Sequence, residues 1–364
     1  MTITADSYFA QSYAEARAKF LAAAAAAGLP VTSHPHPLPG HDGEALAMDV
    51  ARDGPADAPS LLLVTSACHG VEGFCGSGVQ GALLADSALR QQARNAGIAI
   101  LFIHALNPWG FSQWRRTTQE NVDLNRNFQD FSQPLPRNTA YDEVAHLIVP
   151  EDWPPTPAVV AQIEAWVAKN GLRAWQTATS GGQYHHPDGV FFGGQAPTWS
   201  QNTLRGVLRE HGRQCRRLGW IDLHTGLGPN GHGELIFACR DDAAALGRAR
   251  AWWGDGVTSI YDGSSSSALL TGLMWLASEM ECPQAEYTGI AVEYGTLPFA
   301  EVSDALRADQ WMANNPDKLS AELRTAIRRQ VRDAFYTDTP EWKAQIVAQG
   351  LDATRKAITG LSLA

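Results

Sequence analysis

Two stretches of the chain, Leu61–Ser66 (LLLVTS) and Ile98–Leu106 (IAILFIHAL), are apolar without alternation. A strand covered on both faces reads this way, so both are predicted to lie inside a sheet flanked by helices. Ser7–Ala27 has a helical pattern, with Gly28 as its stop and Pro30 just beyond. Val31–Gly40, rich in His and Pro, predicts a loop, and Glu44–Arg52 a strand. Gly76–Arg90 predicts a helix whose small residues let it lie close on the sheet. Strand, helix and strand in alternation predict a layered α/β fold.

Asn107–Asp130 reads as a long polar loop and Pro134–Pro157 as an irregular Pro-rich excursion. Ala158–Asn170 and Gln201–His211 predict helices, separated by the Gly- and aromatic-rich loop Ser180–Trp199. Leu218–His224 predicts a strand running into the Gly-rich turn TGLGPNGHG. Glu234–Ala238 and Gly289–Glu293 predict short strands. From Val302 onward Trp311, Leu319, Leu323, Ile327 and Val331 recur at helical spacing. No repeat or linker divides the chain, so residues 1–364 are expected to form one domain: an N-terminal helix and strand (1–58), a core (60–300) and a helical tail (301–364).

Composition narrows the function. Of 364 residues 45% are hydrophobic and 18% charged, which suits a soluble protein with a sizeable core. A net charge of −10 argues against non-specific nucleic-acid binding. Five irregularly spaced cysteines without a C-x-x-C pair suit reduced thiols better than disulfides or a thiolate zinc site. The first twenty residues lack the pattern of a signal peptide, and no apolar run approaches the ~18 residues of a spanning helix. A cytoplasmic location and no membrane partner are therefore expected. The tail either packs on the core or joins copies into a homo-oligomer.

The strand Leu61–Ser66 runs into a small-residue turn carrying His69 and Glu72, an H-x-x-E pair able to converge on one ion. Zinc sites that catalyse hydrolysis use three protein ligands and leave a position open. His224, delivered by an apolar strand, fits as the third. Its competitors are His104, near another strand end, His185 and His186 in a loop, and His232 in the turn after His224. Glu293 ends a strand and suits a general base. Asp123 suits the partner that orients a ligand histidine. WRRTTQENVDLNRNF holds Arg115, Arg116, Asn125 and Arg126, whose side chains can hold a carboxylate or an oxyanion.

Together, HGVE at His69–Glu72, NVDLNRNF at Asn121–Phe128, a strand-borne His224 and a strand-end Glu293 resemble the zinc carboxypeptidase (M14-like) family, in the same order. The nearest branch is a bacterial group of DUF2817 type, similar in HGVEGFxGS, RRxxxxNVDLNRNF and a GGQY…P…GG loop. The resemblance spans roughly residues 60–300. It implies a mixed, roughly eight-stranded sheet between helices. It also implies one zinc per chain on His69, Glu72 and His224, with Asp123 orienting His69. Asn125 and Arg126 would hold the carboxylate of a peptide or small-molecule substrate. Glu293 would be general base and acid, and Arg115 or Arg116 would polarise the scissile carbonyl. A substrate-capping tyrosine has no secure match; Tyr261 and Tyr294 are candidates.

Three other readings compete. N-acyl-amino-acid deacylases of the aspartoacylase and succinylglutamate desuccinylase type share H-G-x-E and D-L-N-R, but carry a β-rich C-terminal domain where this tail reads as helical. GSGVQG at Gly76–Gly81 matches a dinucleotide fingerprint. It starts about ten residues past its strand, however, and the next strand ends without the ribose-binding acid. A non-catalytic binding protein on the same fold is the third reading; against it, every ligand and base position is filled.

Overall fold

The structure, a computed structural model, describes residues 4–363. Met1–Ile3 and Ala364, which the readings of leader and tail include, lie outside the described residues. The sheet has seven strands: β1 Val31–Pro35, β2 Ala47–Asp53, β3 Ser60–Thr65, β4 Ile98–His104, β5 Arg217–Asn230, β6 Gly233–Phe237 and β7 Glu286–Gly295. Their order is β1-β2-β4-β3-β5-β7-β6. The four central strands are parallel; β1, β2 and β6 pair antiparallel at the margins. The fold is thus the expected mixed sheet between helices, with seven strands rather than about eight.

The unalternating strands are explained by what covers them. Leu62 and Val64 of β3 enter one apolar cluster, while Leu61 and Leu63 enter another on the opposite face. In β4, Ile100 and Phe102 join the first and Leu101 and Ile103 the second. Tail residues Trp342, Ile346, Ile358 and Leu361 belong to the first cluster, so the final helix Pro340–Leu363 is packed into the sheet's own core.

Several expectations are corrected. Val31–Gly40 is not wholly loop, because Val31–Pro35 forms an edge strand on β2. Its backbone partners are Ala47–Ala51 on the next strand, beyond the intervening loop, and an edge tolerates the proline. Gly76–Arg90 is two helices, Gly73–Ala85 and Ser87–Asn95, broken where Asp86 caps the second by accepting from Leu89 N. The glycines of GSGVQG serve packing. A Cβ on Gly76 would lie 2.7 Å from Ser66 Cβ, and one on Gly78 would strike the Phe9 ring. The Pro-rich excursion contains the helix Thr139–Ile148, and another helix, Leu172–Ser180, precedes the aromatic loop. The glycine turn after His224 is an irregularity within β5, where register with β7 slips between Thr225 and Asn230.

His104, one of the competing ligands, faces away from the other histidines. Its ring stacks on Phe20 at 4.7 Å and bonds Ser77 Oγ at 2.9 Å. Burial lowers its pKa from 6.5 to about 4. The unfolded chain takes up this proton near 6.5, so between pH 6.5 and 4 the unfolded state binds more protons and stability falls with pH. A 2.5-unit difference amounts to about 3 kcal/mol. Urea unfolding of wild type and His104→Gln at pH 7.5 and pH 4 should show that much extra acid loss in wild type alone.

Candidate active site

Along the sheet, β3 is flanked on one side by β4, its successor, and on the other by β5. Ligand sites in open α/β sheets lie at the carboxyl ends of strands where the order reverses in this way. His69 follows β3, His224 lies towards the end of β5, and Glu293 pairs with His224 in register on β7.

The turn after β3 is fixed by close packing. A Cβ on Gly70 would fall 2.1 Å from the carbonyl carbon of Gly110, so only glycine passes there. Gly70 N and Val71 N donate to the carbonyls of Arg116 and Arg115 at 3.1 and 2.9 Å. The short helical turn Gly70–Glu72 then aims Glu72 back at His69.

Three ligand atoms converge. His69 Nδ1 lies 2.8 Å from Glu72 Oε1, and His224 Nδ1 lies 3.0 Å from Glu72 Oε2. The two Nδ1 atoms are 3.3 Å apart. A tetrahedral ion with bonds of ~2.0–2.1 Å needs ligand atoms about 3.3 Å apart, so the set fits zinc. All three residues are buried. Against the upward push of burial, the two imidazoles hold Glu72 well below the usual carboxylate range.

The outer ring nitrogens are also tied. His69 Nε2 faces Asp123 Oδ1 at 3.2 Å and Arg116 Nη2 at 2.7 Å. Burial alone would lower the His224 pKa, but Asp222 and Glu72 raise it well above the ordinary value. His224 Nε2 meets Asp222 Oδ2 at 2.5 Å, while Asp222 Oδ1 accepts from Thr65 Oγ1 at 2.6 Å. Asp222 is a site residue beyond those that the sequence reading names. Its signal is D-x-H on a strand, where residues two apart share a face. Asp222→Asn keeps the shape but weakens the grip on the Nε2 proton. Zinc affinity, read by competition with a chelating dye, should drop ~10–100-fold.

A second cluster, Cys68, Asp222 and His224, also converges. Burial and the surrounding carboxylates push the Cys68 thiol well up, which makes it a poor thiolate ligand.

Around the triad lies one cavity. Arg116 lines it, with Nε on Asp123 Oδ2 at 2.9 Å and Nη1 on Glu72 Oε1 at 3.3 Å. Arg115 is not brought to this site; it turns the other way and pairs with Asp309 at 2.9 Å. Arg126 gives Nε and Nη2 to Ser180 O and Nη1 to Asn125 O. A guanidinium has five N–H groups, so two remain uncommitted. Asn125 Oδ1 accepts from Met274 N, and its amide N–H groups have no partner among the described residues. The Phe191 ring lies 5.0 Å from the Arg116 guanidinium and 5.6 Å from that of Arg126, holding both against one wall. Glu293 Oε1 accepts from Leu227 N, which the β5 irregularity delivers. Enclosure and the Glu72 charge raise the Glu293 carboxyl to about 8.

The inner wall is apolar, formed by Trp220, Ile236, Ile260, Leu273, Trp275 and Tyr287. The Tyr287 hydroxyl is buried there without a hydrogen-bond partner among the described residues. Neither Tyr261 nor Tyr294 lines the cavity; Tyr261 Oη bonds Cys239 O and Tyr294 is buried. The loop Ser180–Gly194 contributes Val190 and Phe191 to the wall, whereas Tyr184 and His186 brace it through Arg126 O and Asp142.

The fold and cluster define an α/β protein with a two-histidine, one-carboxylate site at the carboxyl edge of its sheet. The chain belongs to the family described as protein of unknown function DUF2817, whose profile it matches over residues 9–349. No curated protein matches it. Among solved structures it is similar to bovine thrombin-activatable fibrinolysis inhibitor, at 9% identity over 96% of this chain and 97% of that one, with a TM-score of 0.47. A metallo-carboxypeptidase from Burkholderia cenocepacia is similar at 13% identity over 90% and 69%, TM-score 0.40. A Shewanella amazonensis SB2B protein assigned to the succinylglutamate desuccinylase/aspartoacylase family gives 18% over 78% and 72%, TM-score 0.31.

Proposed function

We propose that this chain is a zinc-dependent hydrolase of amide bonds, acting as a carboxypeptidase on peptides or amino-acid derivatives with a free carboxylate. The observation that carries the reading is the convergence of His69 Nδ1, Glu72 and His224 Nδ1, each imidazole tied from behind by an aspartate. One zinc held by these residues would supply a Lewis acid and lower the pKa of a coordinated water towards about 7. To offer Nδ1, each histidine carries its proton on Nε2, with Asp123 and Asp222 as acceptors. Arg116 then loses the His69 nitrogen as acceptor and presents its N–H groups to the scissile carbonyl oxygen. Arg126 and Asn125 bind the terminal carboxylate and fix the register of the bond to be cut. Glu293 takes the proton of the attacking water and returns it to the departing amine. A carboxyl held near neutrality suits that exchange.

After Gly295 the described residues form helices, and the last of them packs into the core of the sheet. The five free, buried cysteines support a cytoplasmic location. Among the described residues no helix is long and apolar enough to cross a membrane.

The apolar inner wall sets the expected preference. A panel of N-blocked dipeptides, their C-terminal amides and N-acetyl amino acids, followed by amine release, separates the readings. Dipeptides ending in large apolar residues should be cut, and their amides at least ~100-fold more slowly, since Arg126 is left facing no charge. Cleavage of N-acyl amino acids alone would favour a deacylase.

A further inference from the structure

We propose a second, anion-binding site on the outer face, where the helix Ala321–Phe335 meets the segment carrying Arg115; its ligand is a compact oxyanion such as phosphate. Arg324 and Arg328 stand four residues apart and share one face of that helix. Together with Arg115, His41, Met312 and Pro316 they line a concavity separate from the catalytic one. Like charges at this spacing oppose one another unless an anion lies between them.

The donors are under-used. Arg115 spends Nε on Asp309 and Nη2 on Asn121 Oδ1, leaving Nη1. Arg328 lies over the Trp114 ring and reaches His41 through Nη1, while its buried Nε–H has no acceptor among the described residues. The Arg324 side chain is exposed and makes no bond among the described residues. Two carboxylates, Asp309 and Asp42, act on Arg328. Three guanidiniums outnumber them, in a chain whose net charge is −10. A tetrahedral oxyanion would take the uncommitted N–H groups of Arg115 and Arg324 and those of Arg328 Nη2 as charge-assisted bonds.

The site also touches the metal turn. The carbonyl of Arg115 accepts from Val71 N, between His69 and Glu72. An anion that ties Arg115 to the helix Ala321–Phe335 therefore braces the segment on which the catalytic turn rests.

Isothermal titration of the zinc-loaded protein with inorganic phosphate at low ionic strength tests the site. Arg324→Gln spares the fold, because that side chain is exposed and holds no hydrogen bond or ion pair among the described residues; Arg328→Gln is the second variant. Wild type should bind one phosphate at millimolar strength or tighter, weakened at least fivefold in Arg324→Gln and further in Arg328→Gln. Phosphate should also raise the wild-type melting temperature more than that of either variant. Equal binding in all three proteins would place the phosphate elsewhere, and no binding by wild type would remove the site; either result overturns the proposal. The test is independent of hydrolysis, so it stands even if no amide substrate is found.

Discussion

Replacing His224 with alanine is expected to strip the chain of zinc and, with it, of all amide hydrolysis. Two ligands would remain where catalytic zinc sites use three. The loss should exceed the ~10–100-fold expected of an outer partner such as Asp222. The imidazole is also the shared partner of Glu72 and Asp222, both buried. Removing one member of such a group costs about 3–5 kcal/mol, a large part of a domain's ~5–15 kcal/mol. Circular dichroism must therefore show that the variant is folded. His224→Gln, which keeps an amide beside Asp222, serves if alanine fails. Metal content by mass spectrometry after dialysis should read about one zinc per wild-type chain and close to none in either variant. A folded variant that keeps its zinc would remove His224 from the ligand set.

The second large effect separates chemistry from metal binding. Glu293→Gln should lower kcat by ~10²–10⁴ while zinc stays at one per chain. This corresponds to roughly 3–5 kcal/mol of lost transition-state stabilisation. Stability should move the other way. The carboxyl is raised to about 8 by enclosure and by Glu72, so the folded state binds the extra proton between about 4.5 and 8. Stability contributed by this group falls as pH rises through that window. The neutral amide escapes the loss, so zinc-free Glu293→Gln should melt above zinc-free wild type at pH 8.5. A variant with unchanged kcat would assign the proton transfer to another group.

What could be read from the sequence depended on whether the signal was local. His69 and Glu72 announce themselves by spacing on one turn, and His224 by its place on a strand. Asp222 is equally local, since D-x-H on a strand puts both side chains on one face. Arg115 and Arg116 could not be told apart, because neighbours on an irregular segment point to opposite sides. Their directions are set by carbonyl bonds to Gly70 N and Val71 N and by Asp309, 194 residues away. Phe191 and Tyr287 reach the cavity only through tertiary packing. The edge strand β1 was hidden for the same reason, its polar sequence being held by pairing to β2. The break at Asp86 was legible as a capping residue before SALR, but the run of small residues on its N-terminal side masked it.

The central claim is that one zinc ion sits between His69, Glu72 and His224. Anomalous diffraction at the zinc edge from zinc-soaked crystals tests it most directly. A single strong peak is expected within about 2.0–2.2 Å of His69 Nδ1, a Glu72 carboxylate oxygen and His224 Nδ1. A peak on the other side of the His224 ring, between Cys68 and Asp222, or no peak at the cluster, would contradict it.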